Sequence, residues 1–284
     1  METLPVYART APSDYELRAV QEIELWKQKD MGWFGTAVDK LNSVVEKATD
    51  LVRKIPGVDW TIDNVVAGLL RLTNEIVQDT VWREAIYEEY RKEQLPVVGL
   101  QDIRSLDLEQ VDRVLNGIDT KYRALAAAEG AATGYVGAAG IVPDIVSLVA
   151  LNLRAAGEYA TYCGFDIKDP MERLYALQLL DAMSHPSDTA KQVSLAPFIR
   201  VSRRIARDHA VQTLEHHAIT RAIRNAARAL GVHLTGAKLA QVVPVTGAVV
   251  ASGFNAYYTS KVCDAAFYLY RERFLVAKYG ELPR

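Results

Sequence analysis

Apolar residues along this chain recur at helical spacing in almost every long segment. Residues 61–94 carry Ile62, Val65, Val66, Leu69, Leu70, Thr73, Ile76, Val77 and Val81, steps of three and four that draw one stripe down a helix face. Ser13 followed by Glu16 forms a capping box, in which each side chain meets a backbone N–H of the other, and opens a helix to about Asp30. Asp107 and Gln110 form a second box ahead of Val111, Val114, Leu115 and Ile118. Asp169, Pro170 and Glu172 predict a third, with Asp169 as cap, Pro170 at the first helical position and Glu172 closing the box. Pro56-Gly57, Gly99-Leu100-Gln101, Ser184-His185-Pro186-Ser187 and Gly231-Val232 read as breaks. Period-two alternation bounded by turns is absent. The pattern predicts an all-α protein, a bundle of roughly eight to eleven helices. No linker or low-complexity stretch divides the chain, so residues 1–284 read as a single domain with 1–13 as an extended arm.

Two segments stand apart. Residues 124–163 are rich in Ala and Gly, with Glu129, Asp144, Arg154 and Glu158 as their charges, and residues 239–260 carry none. Both place small residues at helical spacing, Gly130, Gly134 and Gly137 in the first and Ala248, Ser252, Ala256 and Ser260 in the second. Such spacing lets helix backbones approach closely. Residues 239–260 are long enough to cross a bilayer of about 30 Å. Their quality argues otherwise, since 13 of the 22 are apolar, one is Leu, none is Ile, and Gln241, Pro244 and Asn255 dilute the run. In the first segment Glu129 and Asp144 frame 14 uncharged residues, too short for a span. The expectation is that the two tracts lie against each other in a water-soluble bundle, with Glu129 approaching Asn255 across the contact.

Composition narrows the class. Of 284 residues half are apolar and 24% are charged, and 33 basic against 35 acidic side chains leave a formal charge of −2. This excludes a disordered chain, a collagen-like fibre and a disulfide scaffold. Cys163 and Cys263 are the two cysteines, read as core residues of a reduced compartment. The first residues lack a basic segment followed by an apolar one, which points to the cytoplasm. Residues 1–128 hold 16 basic and 22 acidic side chains and 129–284 hold 17 and 13, an offset that could orient the protein on an anionic surface.

The blocks at 129–140 (Glu-Gly-Ala-Ala-Thr-Gly-Tyr-Val-Gly-Ala-Ala-Gly), 144–145 (Asp-Ile) and 160–166 (Ala-Thr-Tyr-Cys-Gly-Phe-Asp) resemble the central region of the EcsC protein family. Residues 243–255 and 265–271 are similar to its C-terminal region, and Tyr15-Glu16 with Trp26 to its N-terminal signature. In the family the central Asp-Ile is usually followed by Pro; here Val146 stands there, so no kink is inferred at that point. The resemblance implies a bacterial helical protein, sometimes encoded beside an ABC transporter, without a settled biochemical activity.

Candidate chemistry is sparse. A carboxylate in an apolar stretch costs several kcal/mol unless paired or neutralised. Glu129, Asp144, Arg154, Glu158 and Asn255 therefore form a candidate ligand pocket, with Arg154 and Glu158 four apart and able to pair. His209 and His216 are seven apart, about 10.5 Å of helical rise, and adjacent His216 and His217 diverge, so no metal site is predicted. No nucleophile elbow, phosphate loop or dinucleotide fingerprint occurs, and no cofactor or catalytic residue is assigned.

Arg200, Arg204 and Arg207 share one helical face and Arg221, Arg224 and Arg228 another, in a 200–228 segment whose acids are Asp208 and Glu215. Such a stripe either binds phosphate groups or forms a solvated face paired with acids elsewhere, such as Glu84, Glu88, Glu89 and Glu93 of the 84–93 run. No aromatic set is interleaved, so nucleic acid is not expected. The sequence favours a non-enzymatic binding protein peripheral to the inner membrane face, on anionic phospholipid or a membrane-protein complex. The alternative is a soluble hydrolase-type enzyme with Glu129 and Asp144 in a pocket between helices.

Overall fold

The computed structural model describes residues 11–28, 58–79, 83–133, 141–184, 215–242 and 247–283. These residues form helices and connecting turns without a strand. In chain order the helices are α1 (Asp14–Gln28), α2 (Val58–Asp79), α3 (Arg83–Lys92), α4 (Leu100–Arg104), α5 (Leu108–Leu115), α6 (Ile118–Thr133), α7 (Ile141–Tyr162), α8 (Pro170–Ser184), α9 (Glu215–Val242) and α10 (Gly247–Tyr279). The all-α expectation holds. Of the 61–94 segment, Ile62 to Val77 lie on α2, Val81 lies outside the described residues, and 83–92 form a separate helix, α3; most of the expected 1–13 arm also lies outside the described residues.

All ten helices contribute to one contiguous core, including Ile23, Leu69, Tyr90, Ile103, Val111, Tyr122, Leu148, Leu177, Leu230 and Tyr270. The long α10 runs down its middle, most extensively against α6, then α7, α8 and α1. On the other side α9 packs on α8 and α2, and α2 closes on α7. The Gly/Ala tracts thus meet where α6 and α7 contact α10. The burial is uneven: residues 155–162 of α7 are buried on every side, as an apolar helix at a bundle centre must be, whereas Ala124, Leu125, Ala127 and Ala128 of α6 face outwards. Among the described residues no helix is long and apolar enough to cross a membrane.

Glycine placement corrects one break. Gly231 lies within α9 and ends nothing. A side chain there would reach within 3.1 Å of Val66 Cγ2 and 3.3 Å of Val65 Cγ1, so the residue serves the close approach of α9 to α2. Of the expected break at 99–101, Gly99 caps the start of α4 and Leu100 and Gln101 are its first residues, with Asp102 accepting from the Val98 and Gly99 backbone N–H groups at 2.9 Å each. Val146 continues α7 as helix and packs onto Gly68.

The caps divide into those that form as read and one that does not. Ser13 and Glu16 exchange both bonds, Ser13 N–H to Oε2 at 2.9 Å and Glu16 N–H to Ser13 Oγ at 3.2 Å. Gln110 returns to the Asp107 N–H at 3.0 Å. Asp169 caps α8 by accepting from Met171 N–H at 2.9 Å, with Pro170 opening the helix. Glu172 does not close that box. It is buried, and its two oxygens take both ends of the Arg273 guanidinium at 2.6 and 2.7 Å while Tyr270 O–H donates at 2.7 Å. The guanidinium lies 4.1 Å from the Phe165 ring centre and 4.0 Å from that of Tyr175. Burial would lower the Arg273 pKa, but the Glu172 carboxylate more than offsets it.

The chain ends are tied by the same means. Glu16 accepts from Lys278 at 3.0 Å and from Tyr279 O–H at 2.7 Å. Burial pushes its carboxyl up, and bonds from Ser13, Tyr279 and Lys278 outweigh that to hold it below the ordinary range. Arg271 joins Asp112 at 2.9 Å and Glu22 at 3.1 Å, with Tyr15 O–H on Asp112 at 2.8 Å.

α7 ends in a tight left-handed turn, Phe165 N–H bonding Ala160 O at 2.8 Å and Gly164 N–H bonding Thr161 O at 3.0 Å. Gly164 has φ +79°, and a Cβ there would stand 2.9 Å from the Leu100 carbonyl oxygen, a backbone atom with little freedom to yield. Gly164→Ala is expected to cost about 1–3 kcal/mol, from backbone strain alone at the lower end; a denaturant midpoint unchanged from wild type would contradict this geometry.

Candidate functional site

The polar residues of the two Gly/Ala tracts do not all converge. Arg154 and Glu158 pair along α7 at 3.6 Å as expected, and Lys121 of α6 binds Glu158 more closely, at 2.8 and 3.1 Å. Arg154 is half-exposed and stands ten residues beyond Asp144, about 15 Å along the helix. The five-residue pocket therefore separates into two places, because a straight helix cannot bring both its ends to one point.

The second place is the junction of α6, α7, α9 and α10. Asp144 Oδ2 accepts from Lys238 Nζ at 2.6 Å, and Asp144 Oδ1 from Asn255 Nδ2 at 3.3 Å. Asn255 Oδ1 in turn accepts from Lys238 at 2.5 Å, closing a three-membered ring of polar contacts. The ammonium also sits 5.1 Å from the centre of the Phe254 ring. Asp144, Lys238 and Asn255 are all buried. About two turns further along α7 and one along α10, Asn152 Nδ2 donates to Thr259 Oγ1 at 3.0 Å and to Leu148 O at 2.8 Å, a second polar tie between the two helices.

Glu129, at the end of α6, joins this group through its environment. Both carboxylate oxygens are shielded from solvent. Burial pushes its pKa up and the Asp144 charge adds to the rise, while the Ser147 hydroxyl and Lys238 oppose it. Glu129 lies within reach of the Asp144 and Lys238 charges, and Asn255 bonds both of those residues.

Lys238 is the member that reading the sequence missed. Between Arg228 and Lys261 it is the one Lys, Arg, Asp or Glu, a signal that was present. A lone charge in an apolar stretch needs a partner, and Asp144 is the carboxylate that packing supplies. Among the described residues no group of three or more His, Cys, Asp or Glu could hold a metal ion. His209 lies outside the described residues, and His216 and His217 lie on α9. Cys163 and Cys263 are buried as free thiols, burial raising the Cys263 pKa to about 12.

Of the arginines, Arg200, Arg204 and Arg207 lie outside the described residues. Arg221, Arg224 and Arg228 are exposed on one face of α9, whose opposite face buries Ala227, Leu230 and Leu234. Residues 216–242 contain no Asp or Glu, so α9 brings no acid of its own to that face after Glu215. The acidic run on α3 is engaged elsewhere: Glu84 and Glu88 face Arg91 at 2.6 and 3.9 Å, and Glu89 accepts from Tyr162 O–H.

These features are those of an all-α helical protein. The chain is a member of the EcsC protein family, whose model matches residues 18–275. The uncharacterized protein YdbA of Bacillus subtilis (strain 168) is 25% identical over 280 residues, covering 93% of this chain and 94% of that protein. No solved structure matches the chain significantly. Within the blocks that carry the resemblance, Glu129 opens the first, Asp144 begins the Asp-Ile pair and Asn255 closes the 243–255 segment. Their polar ends meet around Lys238.

Replacing Lys238 by Met keeps the apolar stem but leaves Asp144 as a buried charge beside another carboxyl. The expected loss is about 3–5 kcal/mol of stability, the range for breaking a buried ion pair from one side. Urea unfolding with an unchanged slope reads this directly; a loss below about 1 kcal/mol, the scale of a surface pair, would show that the pair is open to water.

Proposed function

We propose that this EcsC-family chain is a non-enzymatic binding protein that acts peripherally at the cytoplasmic face of a membrane, on anionic phospholipid or a membrane-protein complex. The observation that supports this is the exposed Arg221, Arg224 and Arg228 face of α9. A guanidinium is always charged, weakly hydrated and forked, which suits phosphate oxygens. Residues at steps of three and four present their side chains to one plane over about 10 Å of rise. The buried opposite face anchors α9 in the bundle, so the arginines are offered from a fixed platform. Each basic residue near an anionic surface contributes about 1 kcal/mol.

Co-sedimentation with vesicles tests the lipid form of this reading. Binding is expected to require anionic phospholipid, to weaken as salt rises, and to fall on the order of a hundredfold when all three arginines become Ser. Failure to bind any vesicle at low salt removes it.

A second reading, a hydrolase-type enzyme, rests on the shielded Glu129 carboxyl, pushed up by burial beside Asp144. A carboxyl held neutral near a second, ionised one is the arrangement general acid catalysis uses. On this reading, purified protein turns over a panel of chromogenic esters and phosphates, and Asp144→Asn and Glu129→Gln each abolish it. A wild-type chain silent across the panel counts against it.

A further inference from the structure

Lys121 and Arg154 mark a place apart from the Lys238 junction where charge is not balanced. Both lie on the one Glu158 carboxylate, at 2.8 and 3.6 Å, and both are half-exposed while Glu158 is buried. Two cations on one carboxylate leave a surplus positive charge at the surface. Glu89 of α3 is held by Tyr162 O–H, one turn of α7 beyond Glu158. Arg123 reaches around the other side of α6 to Asp264 of α10 at 3.0 Å, with Asp119 beside it. Beneath the surplus charge lies Tyr122, fully buried, its ring centre 5.0 Å from the Lys121 ammonium. The Tyr122 hydroxyl stands near Glu158 and Arg154 but completes a hydrogen bond with neither. Burial, then the Glu158 charge, pushes its pKa up, so it keeps its proton as a donor without an acceptor.

An apolar face adjoins this spot. Lys121 meets Glu158 and, eight residues on, Glu129 reaches Ser147, so α6 and α7 run antiparallel with their outer sides level. Ala124, Leu125 and Ala128 of α6 are exposed there, and Ala150 and Leu151 of α7 are partly exposed. Residues 124–128 and 145–153 contain no charged side chain.

We propose that Lys121, Arg154 and Tyr122 form a seat for the phosphate of an anionic phospholipid, with Leu125 and Leu151 lying against the acyl region of the same leaflet. The phosphate oxygens take up the surplus charge on the Arg154 fork and accept from Tyr122 O–H. Lys121 covers the tyrosine ring on a flexible stem, and turning its ammonium out to the phosphate uncovers the hydroxyl. A free phosphate would meet the same three groups, but it would leave Leu125 in water; a lipid covers both. A second copy of the chain fits less well, because the face exposes no carboxylate to receive the other copy's Lys121 and Arg154. The inference rests on the membrane reading above and adds a contact that α9 does not supply.

Vesicles of phosphatidylcholine, with and without phosphatidylglycerol, test it by sedimentation and by an environment-sensitive dye on Leu125→Cys, the two native thiols being buried. The dye is expected to shift to the blue on phosphatidylglycerol vesicles and to stay unchanged with phosphatidylcholine alone or with inorganic phosphate. Tyr122→Phe should lose about tenfold in vesicle affinity without losing thermal stability, since its hydroxyl makes no bond in the free protein. Arg154→Gln should lose about fivefold. Wild-type affinity in Tyr122→Phe overturns the seat, as does a dye that stays in water on vesicles that carry the protein down. An equal dye response to inorganic phosphate overturns the lipid as ligand, and one that needs only concentrated protein gives the face to a second copy. Loss of sedimentation confined to the variant with Arg221, Arg224 and Arg228 as Ser leaves the α9 reading without the seat, and loss confined to Tyr122→Phe and Arg154→Gln does the reverse. A wild-type chain that sediments with no vesicle removes both.

Discussion

Buried charge has to be matched where it lies, and α10 is where this chain concentrates it. Arg271, Arg273 and Lys278 project from its C-terminal half into Asp112 and Glu22, into Glu172, and into Glu16 and Asp107. Together these bonds reach α1, α5 with its cap, and α8. An ion pair in a shielded site stabilises little compared with apolar packing, but losing one partner is costly, so these pairs select one arrangement of α1, α5 and α8 over its neighbours. The aromatic rings around Arg273 complete that selection by excluding water from the Glu172 pair.

The two ends of α10 differ in kind. At the C-terminal end each buried cation has at least one carboxylate of its own, and the bidentate Arg273 contact leaves both Glu172 oxygens occupied. Near the N-terminal end the ratio reverses, with two carboxyl groups and one lysine set among small residues. Small side chains allow close backbone approach but provide little apolar area to offset a stray charge.

Much of this was legible locally. The Ser13-Glu16 exchange, the return of Gln110 to Asp107, and the Asp169-Pro170 start of α8 each depend on residues within four positions, and each formed as the spacing implied. Two local readings were overridden. Glu172 had the position to close a cap, but a buried arginine a hundred residues away binds a carboxylate more strongly than a backbone N–H does. Gly231 had the look of a break, and became a contact because α2 needed room beside α9. The candidate site was half legible: Glu129, Asp144 and Asn255 stood out as polar groups in apolar tracts, while Lys238 passed as a boundary and Arg154 was grouped with residues a helix keeps it away from.

By itself the sequence determined the helices, their caps, the apolar faces and the need for every charge inside the Gly/Ala tracts to find a partner. Those follow from hydrogen bonding within a few residues and from the free energy of placing charge away from water, neither of which refers to the rest of the chain. Beyond the Arg154–Glu158 pair, which the spacing already implied, the partner each of these charges found was decided by tertiary structure. The ring of Asp144, Lys238 and Asn255 joins positions 94 and 111 residues apart in the chain, and only the packing of three helices, set by summed apolar contact over the whole core, brings those positions within bonding distance.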